Sequence, residues 1–248
     1  MKRSEMRTRG AAALLVWAVA ATAFAGSNPP AQGFDEAGSD PKAMQLADHT
    51  MEAMGGRANW DAVQTIGWTI FGRSHLWNKW TGQYRLDADT LTVVMNVNTG
   101  LGRAWRKGSE VTAPEDLAEV LRDSKSIWIN DSYWLAMPYK LKDSGVTLGY
   151  GGEKTTEDGR AADVLILTFK GVGDTPDNKY DVFVDRESGL VTQWCYYKLA
   201  ADPTPRFTLP WTNWTSFGTV KLATGRGKAD VTGIRVTLAD ERESFEKR

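Results

Sequence analysis

Residues able to do acid–base, nucleophilic or metal chemistry are few in this chain, and their spacing gathers none of them into a working constellation. The 248 residues include two histidines, His49 and His75, and one cysteine, Cys195. A closed zinc site wants about four N or S ligands, so no metal centre is expected, and no 12-residue EF-hand loop is visible. Ser74 precedes His75, but neighbours on a strand point to opposite faces, and a Ser-His-Asp site needs its base oriented by a third group. No G-x-S-x-G is present. Cys195 sits in QWCYY, a strand pattern, and reads as a small buried apolar residue. Acids are plentiful, yet no spacing singles out a catalytic pair. Gly100-Leu101-Gly102 lacks the full glycine pattern and the following helix of a phosphate cradle. The expectation is a protein with no catalytic residues and no cofactor, and a hydrolase acting through carboxylates is the least favoured reading.

What the chain has in excess is aromatic surface. It carries 11 tryptophans, and each large aromatic brings roughly 150–250 Å² to bury. The stretch NDSYWLAMPYKLKD (130–143) adds two tyrosines, a tryptophan, a methionine and two leucines within fourteen positions. Such surface builds either core or an aromatic wall for acyl chains or sugar rings. The candidate ligand contacts are Trp68, Trp77, Met95, Trp105, Trp128, Tyr133, Trp134 and Met137.

The elements that must position them follow from periodicity. MKRSEMRTRG, an apolar run from Ala11 to Phe24 and Ala23-Phe24-Ala25 form a secretory signal cut after Ala25. The apolar run is shorter than the roughly 20 residues of a spanning helix. The expected location is the periplasm, as a soluble chain without a lipid anchor. Loss of Lys2, Arg3, Arg7 and Arg9 against Glu5 moves the net charge from −1 to −4, and no basic block points to nucleic acid. One cysteine allows no internal disulfide, so stability must come from a core. Residues 26–38 are Pro/Gly/polar and read as a flexible tether, which leaves 39–248 as a single domain.

Ser39 or Asp40 caps a helix with Pro41 at its first position and Gly55-Gly56 at its end. From Thr65 the period becomes two: Ile66, Trp68 and Ile70 share one face, and Leu91, Val93, Met95 and Val97 share another. Tight turns separate about ten strands of an antiparallel meander. A helical island begins at Pro114-Glu115-Asp116, with Leu117, Val120 and Leu121 as its stripe. A second helical stretch begins near Asp131, capped by Asn130 or Asp131, and stops before Pro138. A sheet this wide curls. A few helices plug its concave side, and any volume they leave is a cavity. The fold class is mainly β (α+β): a large curved antiparallel sheet, a half-open barrel, with an N-terminal helix and a mid-chain helical plug.

The signal, the capped helix, the meander from Ile66, the helical plug and VDRESGLV (184–191) together resemble the periplasmic lipoprotein carrier and receptor (LolA/LolB-like) superfamily. NDSYWLAMPYKLKDSGVTL (130–148) is similar to uncharacterised outer-membrane lipoprotein-sorting-like proteins. The resemblance covers Asp40 to about Glu241. It implies a half-closed barrel with helices as a lid over an apolar cavity that receives lipoprotein acyl chains, and envelope membrane proteins as partners. The family's Arg-Pro pair, tied to lid closure, has its territory at Arg73-Ser74 and Arg85-Leu86, without the proline. Arg73 and Arg85 are therefore the candidate lid latches. The expected function is non-enzymatic binding or carriage of a lipid or lipoprotein acyl chain by a monomer. The alternative is a carbohydrate-binding or envelope protein that uses surface tryptophans.

Overall fold

The computed structural model describes residues 28–241 and 244–245. The signal expected over 1–25 lies outside the described residues. Three α-helices, α1 (Pro41–Ala53), α2 (Arg57–Ala62) and α3 (Pro114–Ala136), accompany fourteen strands among the described residues. The strands are β1 (Thr65–Ile70), β2 (Arg73–Asn78), β3 (Gln83–Ala88), β4 (Leu91–Asn96), β5 (Gly102–Arg106), β6 (Ser109–Glu110), β7 (Val146–Thr155), β8 (Ala161–Phe169), β9 (Lys179–Asp185), β10 (Val191–Tyr197), β11 (Phe207–Pro210), β12 (Thr212–Phe217), β13 (Val220–Gly225) and β14 (Thr232–Thr237).

They form a seven-stranded sheet in the order β14-β1-β2-β3-β4-β5-β6, a five-stranded sheet in the order β11-β10-β9-β8-β7, and the β12-β13 hairpin. All pairings are antiparallel. Neither sheet closes on itself, so the architecture is the expected half-open antiparallel barrel. The fourteen strands exceed the ten that alternation suggested, because β5, β6, β12 and β13 are short or carry Gly and polar residues that blur a period of two.

Register sorts the seven-stranded sheet into two faces. Ile66, Trp77, Tyr84 and Met95 lie opposite one another on consecutive strands, as do Trp68, His75, Leu86, Val93 and Ala104. Both rows are on the face toward the helices, and Arg73 belongs to the same face of β2 because it is two residues from His75. The opposite face carries Leu76, Arg85, Val94 and Arg103.

α1 is capped by Asp40, whose side chain accepts from Lys42 N at 2.7 Å, with Pro41 at the first position. Its Ala43 and Ala47 pack on Leu148, Leu165, Leu167 and Val182 of the five-stranded sheet. α3 is one continuous helix of 23 residues, which corrects the expectation of two separate helical pieces. Asn130 and Asp131 are interior positions and cap nothing. Val120 and Leu121 pack on β3, β4 and β5, whereas Leu135 and Ala136 pack on β1 and β13. Glu115 and Asp116 in the first turn complement the helix dipole where Ala113 offers no capping side chain.

The helix ends at Ala136, just ahead of Pro138, and one carbonyl there needs a substitute donor. In an α-helix the carbonyl of Trp134 would accept from residue 138, but proline has no N–H. Arg226, fully buried, donates to that carbonyl through Nη2 at 2.9 Å and Nε at 3.2 Å. Its guanidinium lies 3.4 Å from the Trp211 ring centroid and donates from Nη1 to Gly225 O. Burial lowers its pKa, and Asp230 opposes the shift.

The segment expected to be a flexible tether does not run free where it is described. Ala31 N, Asp35 N and Asp40 N donate to the carbonyls of Lys142, Val146 and Leu148, and Ser39 Oγ accepts from Leu148 N. The chain thereby covers the edge of β7, whose backbone groups would otherwise be unpaired. Composition alone missed this because Phe34, the residue that packs against the core, is isolated among polar neighbours.

Candidate functional site

The concave side of the barrel is largely filled. Trp68, Met95 and Met137 are core residues, almost fully buried, and Trp68 stacks on His75 at 4.5 Å. The enclosed void expected from the surplus of sheet over helix is replaced by clefts along the accessible side of α3. One of about 210 Å³ lies between Tyr133, Trp134, Phe169 and Tyr180. The next, about 220 Å³, is bounded by Trp128, Tyr133, Phe169 and Val172. The third, about 140 Å³, is bounded by Trp60, Trp77, Trp128 and Tyr139. The first and second share Tyr133 and Phe169, and the second and third share Trp128 and Ser132. The three therefore follow one another as a groove. Individually they fall below the roughly 300–1,000 Å³ of ordinary ligand sites, and end to end they reach that range.

The walls are rings held by rings. Tyr133 lies 5.4 Å from Tyr180 and 6.3 Å from Phe169. Trp134 meets Trp194 edge to face at 5.1 Å, and Trp77 meets Trp128 in the same way at 5.3 Å. The Tyr133 hydroxyl is buried without a hydrogen-bond partner, and burial raises its pKa well above the ordinary phenol value.

Behind this wall a polar network ties α3 to the sheet. Arg73 donates through Nε and Nη2 to the two oxygens of Asp131, at 2.8 and 2.9 Å. Asp131 is fully buried, while the Arg73 side chain is 27% exposed. His75 Nε2 lies 3.1 Å from Asp131 Oδ2 but is poorly aligned for a hydrogen bond, and its Nδ1 lies 2.8 Å from the Tyr84 hydroxyl. Burial pushes the Asp131 carboxyl up, and His75, Arg73 and Asn130 outweigh it, holding the group below its ordinary value.

The eight candidate contacts thus divide. Trp77, Trp128, Tyr133 and Trp134 border the groove. Trp68 and Met137 are packed beneath it. Met95 is packed on the helix side against Val120 and Leu121, and Trp105 instead borders a hollow on the opposite face of the seven-stranded sheet. Of the two candidate latches, Arg73 bonds α3. Arg85 points the other way, pairs with Asp87 at 2.6 Å and donates to Phe245 O. Sequence reasoning missed Asp131, His75, Phe169 and Tyr180 as parts of the site. Arg73, His75 and Trp77 fall at i, i+2 and i+4 in one strand, a signal that two cationic or polar groups enter an apolar face and need a carboxylate there.

The opposite-face hollow, about 710 Å³, is larger than each of the three clefts and is lined by Gln83, Arg85, Asn96, Arg103 and Trp105 among others. Its arginines are engaged: Arg103 holds Glu110 at 2.7 and 2.9 Å. Among the described residues no cluster of three or more His, Cys, Asp or Glu could hold a metal ion. No helix among them is long and apolar enough to cross a membrane.

No protein-family model matches the chain, and neither does any curated protein. Among solved structures it is similar to a DUF1329 family protein from Desulfovibrio piger, at 15% identity over 84% of this chain and 98% of the other, with a TM-score of 0.45. It is also similar to a LolA superfamily protein from Nitrosomonas europaea, at 9% identity over 83% and 97%, with a TM-score of 0.35. A third similarity is to MucB, solved in complex with MucA(peri), at 15% identity over 83% of this chain and 60% of the other, with a TM-score of 0.24.

Proposed function

We propose that the chain is a non-enzymatic binding or carrier protein for an acyl chain of a lipid or lipoprotein, acting after export as a periplasmic monomer that passes cargo to or from envelope membrane proteins. The observation that carries the reading is the groove along α3, walled by Trp77, Trp128, Tyr133, Trp134, Phe169 and Tyr180. Affinity would come from apolar burial, at about 25 cal/mol per Å², less the cost of association. α3 serves as the lid, and the Arg73–Asp131 pair as its latch. Opening the latch would widen the clefts by lifting the wall that Trp128 and Trp134 supply.

The test is native mass spectrometry of the exported protein together with displacement of a fluorescent fatty acid. A copurified lipid or saturable displacement is expected, and absence of both would overturn the reading. A second reading, a polar ligand such as a glycan, is favoured only by the opposite-face hollow beside Trp105. A glycan screen followed by tryptophan emission would detect it, and a screen without response would remove it.

A further inference from the structure

The groove is chemically asymmetric along its length. Its Trp134–Tyr180 end includes Asp174 and no lysine or arginine. Its Trp60 end gathers Arg57, Lys79 and Lys140, with Asp143. Two of these cations are engaged. Arg57 holds both oxygens of Asp61 at 2.8 Å, and Lys140 is paired with Asp143. Lys79 is different. Its ammonium lies 3.7 Å from the Trp60 ring centroid and donates to the Trp60 carbonyl. The carboxylates nearby are already bound by Arg57 and Lys140.

We infer that the groove takes a single-chain amphiphile with an anionic head, the head seated against Lys79 at the Trp60 end and the chain running past Trp128 and Tyr133 toward Trp134. The inference rests on the acyl-chain reading and adds the class of ligand and its direction. Lys79 supplies the one ammonium of the cluster that can take an outside carboxylate without breaking an existing ion pair. Arg57 and Lys140 add positive potential, which Asp61 and Asp143 partly offset, and the Tyr139 hydroxyl is occupied by the carbonyls of Met54 and Lys221. The state of Lys79 agrees. Burial depresses its pKa to about 7, with Asp61 opposing and Arg57 and Lys140 assisting. An anion bound there favours the ammonium, so the anion binds best below that pH. Affinity falls as pH rises through it, by up to about tenfold per unit until the pKa of the complex is reached.

Intrinsic tryptophan fluorescence, titrated with decanoate and with uncharged decanol from pH 6 to pH 9, tests this on the full mature protein. Decanoate is ionised throughout that range. It is expected to bind about tenfold or more tightly than decanol at pH 6 and to lose that advantage toward pH 9. In Lys79→Met the two are expected to bind alike at every pH, and Lys79→Arg should keep the preference while losing its pH dependence. If wild-type protein binds decanol at least as well as decanoate at pH 6, or Lys79→Met keeps the preference, the inference is overturned with the acyl-chain reading intact. If neither compound binds, both fail. The wild-type pH series stands even if a variant does not fold.

Discussion

Arg73 and His75 enter an apolar face because β2 alternates, and the same alternation that buries Trp77 carries them inward with it. A buried carboxylate is tolerated only with a partner, and Arg73 on β2 donates to both oxygens of the fully buried Asp131. Removing one member of such a pair strands the other. Arg73→Gln is therefore expected to cost about 3–5 kcal/mol in urea unfolding at pH 7 and, if the pair latches α3, to speed uptake of a fluorescent fatty acid. The pH dependence follows from the depressed carboxyl. Its folded pKa lies below the unfolded value of about 3.9, so its stabilisation is complete above that value and lost as pH falls through the folded one. The urea midpoint should drop below about pH 4, and Asp131→Asn should flatten that part of the profile. A wild-type midpoint unchanged from pH 5 to pH 3 would contradict it. The parity of β2 and β3 was legible in the sequence and could have separated Arg73 from Arg85. The partner Asp131 was not, because it sits 58 residues away in a stretch that reads equally well as a helix start.

Among the elements, α3 does the most to define the site, and its C-terminal end is held by a residue from a distant hairpin. Arg226 replaces the N–H that Pro138 cannot supply to Trp134. Arg226→Met should destabilise by about 1–3 kcal/mol through the orphaned carbonyl. In a Pro138→Ala background the loss should shrink by at least about 0.5 kcal/mol, because residue 138 then has its own N–H. A double-mutant cycle measured by thermal or urea unfolding checks this, and strict additivity would contradict it. The α1 cap at Asp40 and the turn in VDRESGLV were both readable from residue type. Gly189 has φ of 70°, and Asp185 accepts from Ser188 N, as a tight turn with a left-handed glycine requires. The unity of α3 was not readable, since Asn130-Asp131-Ser132 mimics a capping stretch when its tertiary partners are unknown.

At the scale of the whole molecule, the surplus of sheet over helix in the sequence produces the half-open barrel but leaves less empty volume inside it than that surplus implies. One 23-residue helix and α1 fill most of the concavity, and the indoles that suggested a void are partly its filling. What remains is a groove at the margin of the plug, with rings on its walls and cations at one end. A lid-and-groove protein of this kind should bind a hydrocarbon beside α3 and nowhere on the opposite face of the seven-stranded sheet. The most direct measurement is photocrosslinking with a fatty acid that carries a diazirine along its chain, mapped by peptide mass spectrometry. Adducts within 128–137 and 169–180 are the predicted result. No adducts, or adducts confined to 83–105 across the sheet, would contradict the account.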